Sequence, residues 1–212
     1  MAVTEVSRMN GKIMGCDISH HNVNTELVSG LSFYFIKATE GKNWVDKAMT
    51  ALMLKSWDKS VMMLNPIFGF YHYARPDINS DPIVEAEHFL KTIQSHIGAS
   101  LFALDWEGNS VTYPTRWALD WLTYVEQKTG IKPFFYASAA YIKKMSDEKE
   151  GMPSRIILDK YPLWVAHYGD ENKYSEFKKE GNIWQFTSDP MDFDIYYGTY
   201  LELALKGMRS GN

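Results

Sequence analysis

The sequence predicts an α/β fold: an irregular TIM-like β/α barrel of eight strands, with the last strands antiparallel and few helices late in the chain. Three observations support this prediction. Eight short apolar runs follow one another along the 212 residues, amphipathic segments separate the early runs, and too few residues for a helix separate the last two. Continuous apolar strands that alternate with helices are typical of a parallel sheet with covered faces, and eight of them favour closure into a barrel.

The eight apolar runs are the predicted strands. In chain order they cover residues 12–19, 31–38, 66–74, 100–107, 132–138, 161–167, 182–188 and 191–197. The chain is shorter than the roughly 250 residues typical of this barrel, and a parallel crossover needs about a dozen residues. Because only a few residues around 188–190 link the seventh and eighth runs, we expect these two strands to form an antiparallel hairpin.

Three amphipathic segments are the predicted early helices. They follow the second, third and fourth strands and cover residues 44–60, 81–98 and 113–130. Asp81-Pro82 begins the second of these segments, and Pro114 and Gly130 flank the third. Proline at the start of a helix and glycine at its end are the usual arrangement.

The composition bounds the class of protein. Hydrophobic residues make up 45% of the chain and aromatic residues 15%, which is enough for a sizeable core. The net charge of −4 argues against a nucleic-acid partner, because binding to phosphates needs a basic excess. No stretch approaches the roughly 20 apolar residues of a membrane span. We expect one monomeric barrel domain over residues 13–212, preceded by a disordered or loosely packed segment over residues 1–12.

Two carboxylates at the end of the fourth run are the first candidates for catalysis. In FALDWEGNS, Asp105 and Glu107 stand two residues apart on a strand, so their side chains point to the same face. Catalytic groups of such barrels lie at the carboxyl ends of strands. Two close carboxyls repel each other, which raises the pKa of one of them and supplies the acid and the carboxylate that glycosidic cleavage needs. Capping of the next helix is the alternative role.

Two further acids are predicted to join this pair. Asp17 ends the first run, and Asp192 begins the eighth. The first and eighth strands are neighbours in a closed barrel, so both acids should face Glu107 across one opening. Metal binding is a competing use, since His20 and His21 lie beside Asp17. Adjacent residues on an extended chain point apart, however, and hydrogen bonds within the loop are the simpler role for the two histidines.

Aromatic and amide side chains at the strand ends are the candidate substrate-binding groups. They suit a carbohydrate cleft, because flat apolar rings stack on sugars and an amide can bond a hydroxyl or acetamido group. Lys37 and Glu40 form a candidate ion pair at the rim. The candidates for substrate binding are Tyr71, Tyr73, Tyr136, Trp164 and Gln185.

Eight motifs in order resemble glycoside hydrolase family 25, the N-acetylmuramidase lysozymes. They are GCDISHHN, YFIKATEG, GFYHYAR, LDWEG, PFFYAS, LWVAHYG, IWQFTS and MDFDIYYGT, and the similarity runs from about residue 13 to residue 205. The resemblance implies an incomplete β/α barrel with antiparallel late strands. It also implies hydrolysis of the β-1,4 bond from N-acetylmuramic acid to N-acetylglucosamine in peptidoglycan, with no metal or organic cofactor.

The resemblance also implies roles for single residues. Glu107 matches the general acid and Asp105 its partner carboxylate, while Asp17 and Asp192 match the first-strand and late acids. Tyr71, Tyr73, Tyr136, Trp164 and Gln185 match positions that line the cleft. Two residues depart from the family pattern: Cys16 stands where an aliphatic residue is usual, and Asp194 stands where asparagine is common. The extra acid at residue 194 adds a titratable group near the site.

The resulting functional prediction is a peptidoglycan hydrolase that acts on the bacterial cell wall. Retention of configuration would come from direct attack by Asp105 or from the substrate's own acetamido oxygen, and the resemblance favours the second. The first twelve residues lack the apolar run of a signal peptide, which is compatible with a phage lysin or with export by another route. One alternative is a non-catalytic glycan-binding barrel within a larger assembly. A metal-dependent polysaccharide hydrolase is another, and a chelator would inactivate it.

Overall fold

The computed structural model describes residues 12–59, 65–107 and 114–209. The loosely packed segment predicted for residues 1–12 therefore lies outside the described residues except for Lys12, and it stays a prediction. Among the described residues, no helix has both the length and the apolar character that crossing a membrane requires.

The described residues form nine strands and six α-helices. The strands are β1 (Ile13–Ile18), β2 (Phe33–Glu40), β3 (Trp44–Val45), β4 (Ile67–Tyr73), β5 (Leu101–Asp105), β6 (Phe134–Ser138), β7 (Leu163–Ala166), β8 (Ile183–Thr187) and β9 (Asp192–Tyr196). The helices are α1 (Met49–Asp58), α2 (Pro82–Thr92), α3 (Thr115–Thr129), α4 (Ala139–Ser146), α5 (Pro153–Lys160) and α6 (Tyr200–Lys206). Short 3₁₀ turns cover His20–Asn22, Gln94–His96 and Ser175–Phe177.

Eight of these strands close into the predicted barrel. β1 pairs with β2 on one side and with β9 on the other, and the remaining strands follow in the order β4 to β8. β9 runs antiparallel to both of its neighbours, which confirms the late hairpin. The ninth strand, β3, is a two-residue addition that pairs antiparallel with the end of β2. Fold class and strand order therefore agree with the prediction.

Helices α2 and α3 begin close to where the sequence indicates, whereas α1 begins only at Met49, because Trp44 and Val45 of the predicted segment form β3. The Asp81 side chain accepts a hydrogen bond from the Ile83 N–H at the start of α2, and Gly130 ends α3 in the left-handed conformation at φ 72°. Pro114 is the residue before the first turn of α3. Between β7 and β8 only a 3₁₀ turn occurs, so the paucity of late helices is confirmed. The two short helices between β6 and β7 were not among the predicted ones.

The core has two layers, one inside the barrel and one between the barrel and the helices. The inner layer consists largely of aromatic rings on alternate strand positions, among them Phe35, Phe134 and Trp164. Burial of one such ring contributes roughly 1.5–3 kcal/mol. Gly69 is required here, because an added Cβ would lie 2.4 Å from the ring of Phe35. The rings fill the barrel interior up to a polar pocket at the carboxyl ends of the strands.

Candidate active site

Four carboxyl groups meet in one pocket of about 250 Å³ at the carboxyl ends of the parallel strands. Asp105 is the last residue of β5, and Glu107 follows two residues later. Asp17 lies near the end of β1, directly opposite Asp192, the first residue of β9, in the antiparallel register. The structure thus brings together all four acids that the sequence singled out. The reversed direction of β9 is what places its first residue at the same end as Asp17.

The two acids of the D-x-E motif differ in their exposure. Asp105 is 8% exposed, and its Oδ1 has no hydrogen-bond partner among the described residues. Glu107 is exposed. Trp106 between them points away from the pocket and packs on Trp117 of α3 with ring centroids 5.8 Å apart. The side chains of residues 105–107 therefore alternate between the two faces, as the sequence predicts.

Burial and mutual repulsion favour the neutral forms of the pocket acids. Burial is the largest cause that raises the pKa of Asp105 well above its usual value; the Glu107 charge raises it further, and the Lys37 ammonium opposes both. Burial and then the charge of Asp192 likewise raise the pKa of Asp17. The pKa of Asp192 is also raised, by burial and by Glu107. The pocket therefore holds protons at pH values where isolated carboxyl groups would have lost them.

Lys37 and Glu40 form the ion pair that the sequence offered as a candidate, with Nζ 2.8 Å from Oε2. The other oxygen of Glu40 accepts from Nη1 of Arg75 at 2.8 Å. The Lys37 ammonium also lies 4.6 Å from the ring centroid of Tyr73. Because Lys37 is 8% exposed and lines the acid pocket, it supplies a fixed positive charge beside the carboxyl groups. The sequence suggested the pair but not the position of Lys37 inside the pocket.

Gln185 connects the tyrosines of the pocket to Asp17. Its Nε2 donates to Oδ2 of Asp17 at 2.7 Å. Its Oε1 accepts from the hydroxyls of Tyr136 at 3.0 Å and Tyr168 at 2.9 Å. Gln185 was predicted to bond the substrate directly. In the structure it is 2% exposed and its amide bonds Asp17 and two tyrosine hydroxyls, so a direct bond to the substrate stays a prediction.

The remaining aromatic candidates line the same pocket at different depths. Tyr71 and Tyr136 are buried in its floor, and Tyr73 is half-buried at its side. Trp164 is 2% exposed and stacks on Phe35 with ring centroids 4.6 Å apart, so most of its surface belongs to the barrel core. Tyr168, which lies just past β7 and is half exposed, is a pocket residue that the sequence reasoning missed. Its position in LWVAHYG, just after a strand, was the available signal.

A second pocket of about 570 Å³ adjoins the first and shares Glu107, Tyr136 and Tyr168 with it. Together they form a groove, with Glu107 at the junction. The walls of the second pocket are partly aromatic and carry one ammonium group. Its other lining residues include Trp106, Ser138, Tyr141, His167, Lys173 and Tyr174.

The two histidines after β1 have separate roles. Nδ1 of His20 lies 3.0 Å from Oδ2 of Asp46, and the same oxygen accepts from the His20 backbone N–H at 2.9 Å. His21 lines the acid pocket. His20 thus makes hydrogen bonds from its loop to a second loop, 26 residues further along the chain, rather than within its own loop. In the three stretches that the structure describes, no group of three or more His, Cys, Asp or Glu side chains is arranged to hold a metal ion.

Sequence comparison finds relatives over most of the chain. The profile of Glycosyl hydrolases family 25 matches residues 6–195. Uncharacterized protein YegX of Escherichia coli K12 is 29% identical over 187 residues, a match that covers 82% of this chain and 62% of YegX. Lysozyme M1 of Streptomyces globisporus is 27% identical over 178 residues, covering 74% of this chain and 55% of that protein. The chain thus spans less than two thirds of these relatives' length.

Comparison of folds also finds a lysozyme. The crystal structure of the bacterial lysozyme from Streptomyces coelicolor matches with a TM-score of 0.72 at 24% sequence identity. The match covers 94% of this chain and 98% of that one, and it shows that the two share a fold. Because the family profile matches most of the sequence, the chain belongs to glycosyl hydrolase family 25.

Proposed function

We propose that the protein hydrolyses the β-1,4 bond between N-acetylmuramic acid and N-acetylglucosamine in bacterial peptidoglycan, acting as a monomer. Membership of family 25 and the lysozymes among its relatives support this class of substrate. The observation that carries the proposal is the position of Glu107, which is exposed where two pockets meet, with three other carboxyl groups lining one of them. A groove with aromatic walls suits a chain of sugar rings.

Glu107 is the general acid and base of this proposal. A glycosidic oxygen that lies across the junction can reach this exposed carboxyl group. Its proton passes to the leaving oxygen as the bond from that oxygen to the anomeric carbon breaks. In the second half of the reaction, Glu107 takes a proton from the water that attacks the anomeric carbon, and the bond from that carbon to the substrate's acetamido oxygen breaks. General acid catalysis of this kind contributes typically 10²–10⁴-fold to the rate.

Asp105 is the partner carboxylate, and it orients the acetamido group of the substrate. The acetamido oxygen attacks the anomeric carbon, and the acetamido N–H donates to Asp105. Two features of Asp105 support this role rather than direct attack. It is almost fully buried, and its Oδ1 is an acceptor with no partner among the residues that the structure describes. A substrate N–H would supply the missing donor.

Asp17 and Asp192 act on the charge of the transition state in this proposal. Glycosidic cleavage develops positive charge on the sugar ring, and carboxylates fixed around the ring stabilise that charge. Asp17 is oriented by Gln185 at 2.7 Å and lies opposite Asp192. In their ionised forms the two supply negative charge on the side of the pocket that is formed by β1 and β9.

The test compares clearing of purified bacterial cell walls by the wild type and by Glu107→Gln. We expect a loss of about 10²–10⁴-fold, with unfolding behaviour unchanged because the side chain is exposed. Glu26→Gln is the matched control, since the Glu26 side chain is 90% exposed and pairs only loosely with Lys59 at 3.5 Å. A Glu107→Gln variant that clears walls at the wild-type rate would remove the acid role.

Product analysis identifies the bond and separates the enzyme from the alternative. Borohydride reduction of the products should label muramic acid rather than glucosamine at the new reducing ends. Walls from which the N-acetyl groups have been removed should resist cleavage if the acetamido group takes part. A glycan-binding barrel would instead sediment with walls and release no reducing ends.

A further inference from the structure

Asp194 is a buried acid next to the proposed site that the mechanism above does not use. It lies in the middle of β9, with 0% exposure, and its register partners are Gly15 on β1 and Gln185 on β8. Its Oδ1 accepts from Nε1 of Trp164 at 2.7 Å. Its Oδ2 is buried and has no N–H or O–H donor beside it within the described parts of the chain.

Asp194 lies on the same face of β9 as Asp192, the register partner of Asp17, and its carboxyl group is within reach of a hydrogen bond with that of Asp17. Two carboxylates are both acceptors, so a hydrogen bond between them requires a proton on one of the two. Asp17 is partly exposed to the pocket and already accepts from Nε2 of Gln185 at 2.7 Å, so of the two carboxyl groups it loses its proton more easily. Asp194 has no exposure to solvent, and a buried charge is the costlier one. The proton therefore belongs on Oδ2 of Asp194, the oxygen that Trp164 does not occupy.

We propose that Asp194 is a positioning residue that acts as a neutral carboxylic acid and donates a hydrogen bond from Oδ2 to Asp17. This inference rests on the proposed hydrolase function. Asp17 is then held by two donors, Gln185 from β8 and Asp194 from β9. Both of its bonds fix the carboxylate in the orientation that faces the sugar ring.

The charges around Asp194 favour its neutral form. Burial is the largest cause that raises the pKa of Asp194 well above its usual value, followed by the negative charge of Asp17 from β1 and then by that of Asp192 on its own strand. The neighbours from β7 and β8 are the uncharged Trp164 and Gln185. Cys16 of β1 is a further titratable neighbour, and burial is the largest cause that raises the pKa of its thiol well above the usual value.

The proposal predicts that Asp194 limits activity and stability on the alkaline side. When Asp194 loses its proton, the bond to Asp17 is replaced by repulsion between two adjacent carboxylates. The folded protein keeps this proton at pH values where the unfolded chain has released it. The contribution of Asp194 to the free energy of unfolding is therefore fully present below the ordinary aspartate pKa of 3.8. Stability is then lost as the pH rises toward the raised pKa of the folded state.

Asp194→Asn is the decisive variant, because asparagine has the same shape and its amide donates to Asp17 at every pH. We expect the variant to lose less stability than the wild type as the pH rises from 4 to 9 in urea unfolding. We also expect the alkaline limb of its wall-clearing profile to move upward by about one pH unit or more. Asp194→Leu lacks the donor and should lose at least about tenfold in activity, a loss that asparagine at the same position avoids.

The two readouts separate this proposal from the hydrolase function. If the wild type does not cleave walls, the function fails, while the pH dependence of unfolding still decides the Asp194 proton. If Asp194→Asn and the wild type lose stability in parallel across the pH range, the neutral acid is excluded. If the pH profiles of wall clearing for the wild type and Asp194→Asn superimpose, the positioning role of Asp194 is excluded. If Asp194→Leu does not fold, the comparison with Asp194→Asn stands by itself.

Discussion

Glu85 is the buried acceptor that joins helix α2 to strand β4, and its replacement by alanine tests how the wall of the pocket is supported. The Glu85 side chain is fully buried. Its Oε2 lies 2.8 Å from Nε2 of His72 and accepts from the Arg75 backbone N–H at 3.1 Å. Nδ1 of His72 lies 2.8 Å from Oγ1 of Thr39. Burial lowers the pKa of His72, so the neutral ring donates to Glu85 and accepts from Thr39.

The expected cost of Glu85→Ala follows from the donors that it leaves behind. Two donors at Oε2, the ring N–H of His72 and the backbone N–H of Arg75, lose their acceptor. A third donor, Nδ2 of Asn79, loses its bond to Oε1 at 3.1 Å, but it is partly exposed and can bind water instead. An unsatisfied buried donor costs about 1–3 kcal/mol, so the variant should lose about 2–6 kcal/mol. For a domain of this size, each kcal/mol lowers the melting temperature by roughly 2–4 °C. The expected decrease is therefore roughly 4–24 °C.

Urea and thermal unfolding at pH 7 measure this loss, with Glu87→Ala as the matched control. Glu87 is on the same helix but is exposed, and it accepts one bond, from the Tyr124 hydroxyl at 2.8 Å. The control should lose about 1 kcal/mol or less. Equal losses in the two variants would refute the reasoning, because the burial of the acceptor would then have no effect. Wall clearing should also fall for Glu85→Ala, since Arg75 braces Glu40 at 2.8 Å.

Two further substitutions test the pocket charge and the barrel core. In Lys37→Met, the pKa of Asp105 should rise further because the opposing ammonium is gone. The acid limb of the pH profile of wall clearing should then move to higher pH. An unchanged acid limb would contradict an effect of the Lys37 charge on Asp105. Gly69→Ala places a Cβ 2.4 Å from the ring of Phe35 and should cost about 1–3 kcal/mol in urea unfolding. The double variant Gly69→Ala/Phe35→Leu should recover part of that loss, and no recovery would show that this overlap is not the cause.

Much of the architecture could be predicted because local signals and the fold agree. Each predicted strand is a short apolar run; seven of the eight runs contain an observed barrel strand, and β2 extends past the end of its run to Glu40. The late hairpin was predictable from the length of the link between the last two strands, because no crossover fits into the few residues before Asp192. Helices α2 and α3 were predictable from the prolines at their starts, and α3 also from Gly130 at its end. The helices between β6 and β7 are short, and they were not predicted.

The candidate site was predictable in its members but not in its internal contacts. Strand alternation places Asp105 and Glu107 on one face, and strand order places Asp17 beside Asp192. The engagement of Gln185 with Asp17 depends on side chains that are 168 positions apart in the chain. The contact of Tyr168 also depends on the packed fold, because its hydroxyl reaches from the end of β7 to Gln185 on the neighbouring strand β8. Periodicity within one strand carries no information on such pairs.

The sequence by itself determined which residues form strands, which face each side chain takes and which acids reach the carboxyl ends of the barrel. These follow from the period of two along a strand and from the lengths of the links. Only the tertiary structure decided how far each acid is buried and which donor each one meets. Depth and pairing depend on barrel closure, which brings β1, β8 and β9 together. Closure is why Asp194, one acid among 26 in the sequence, becomes a buried partner of Asp17.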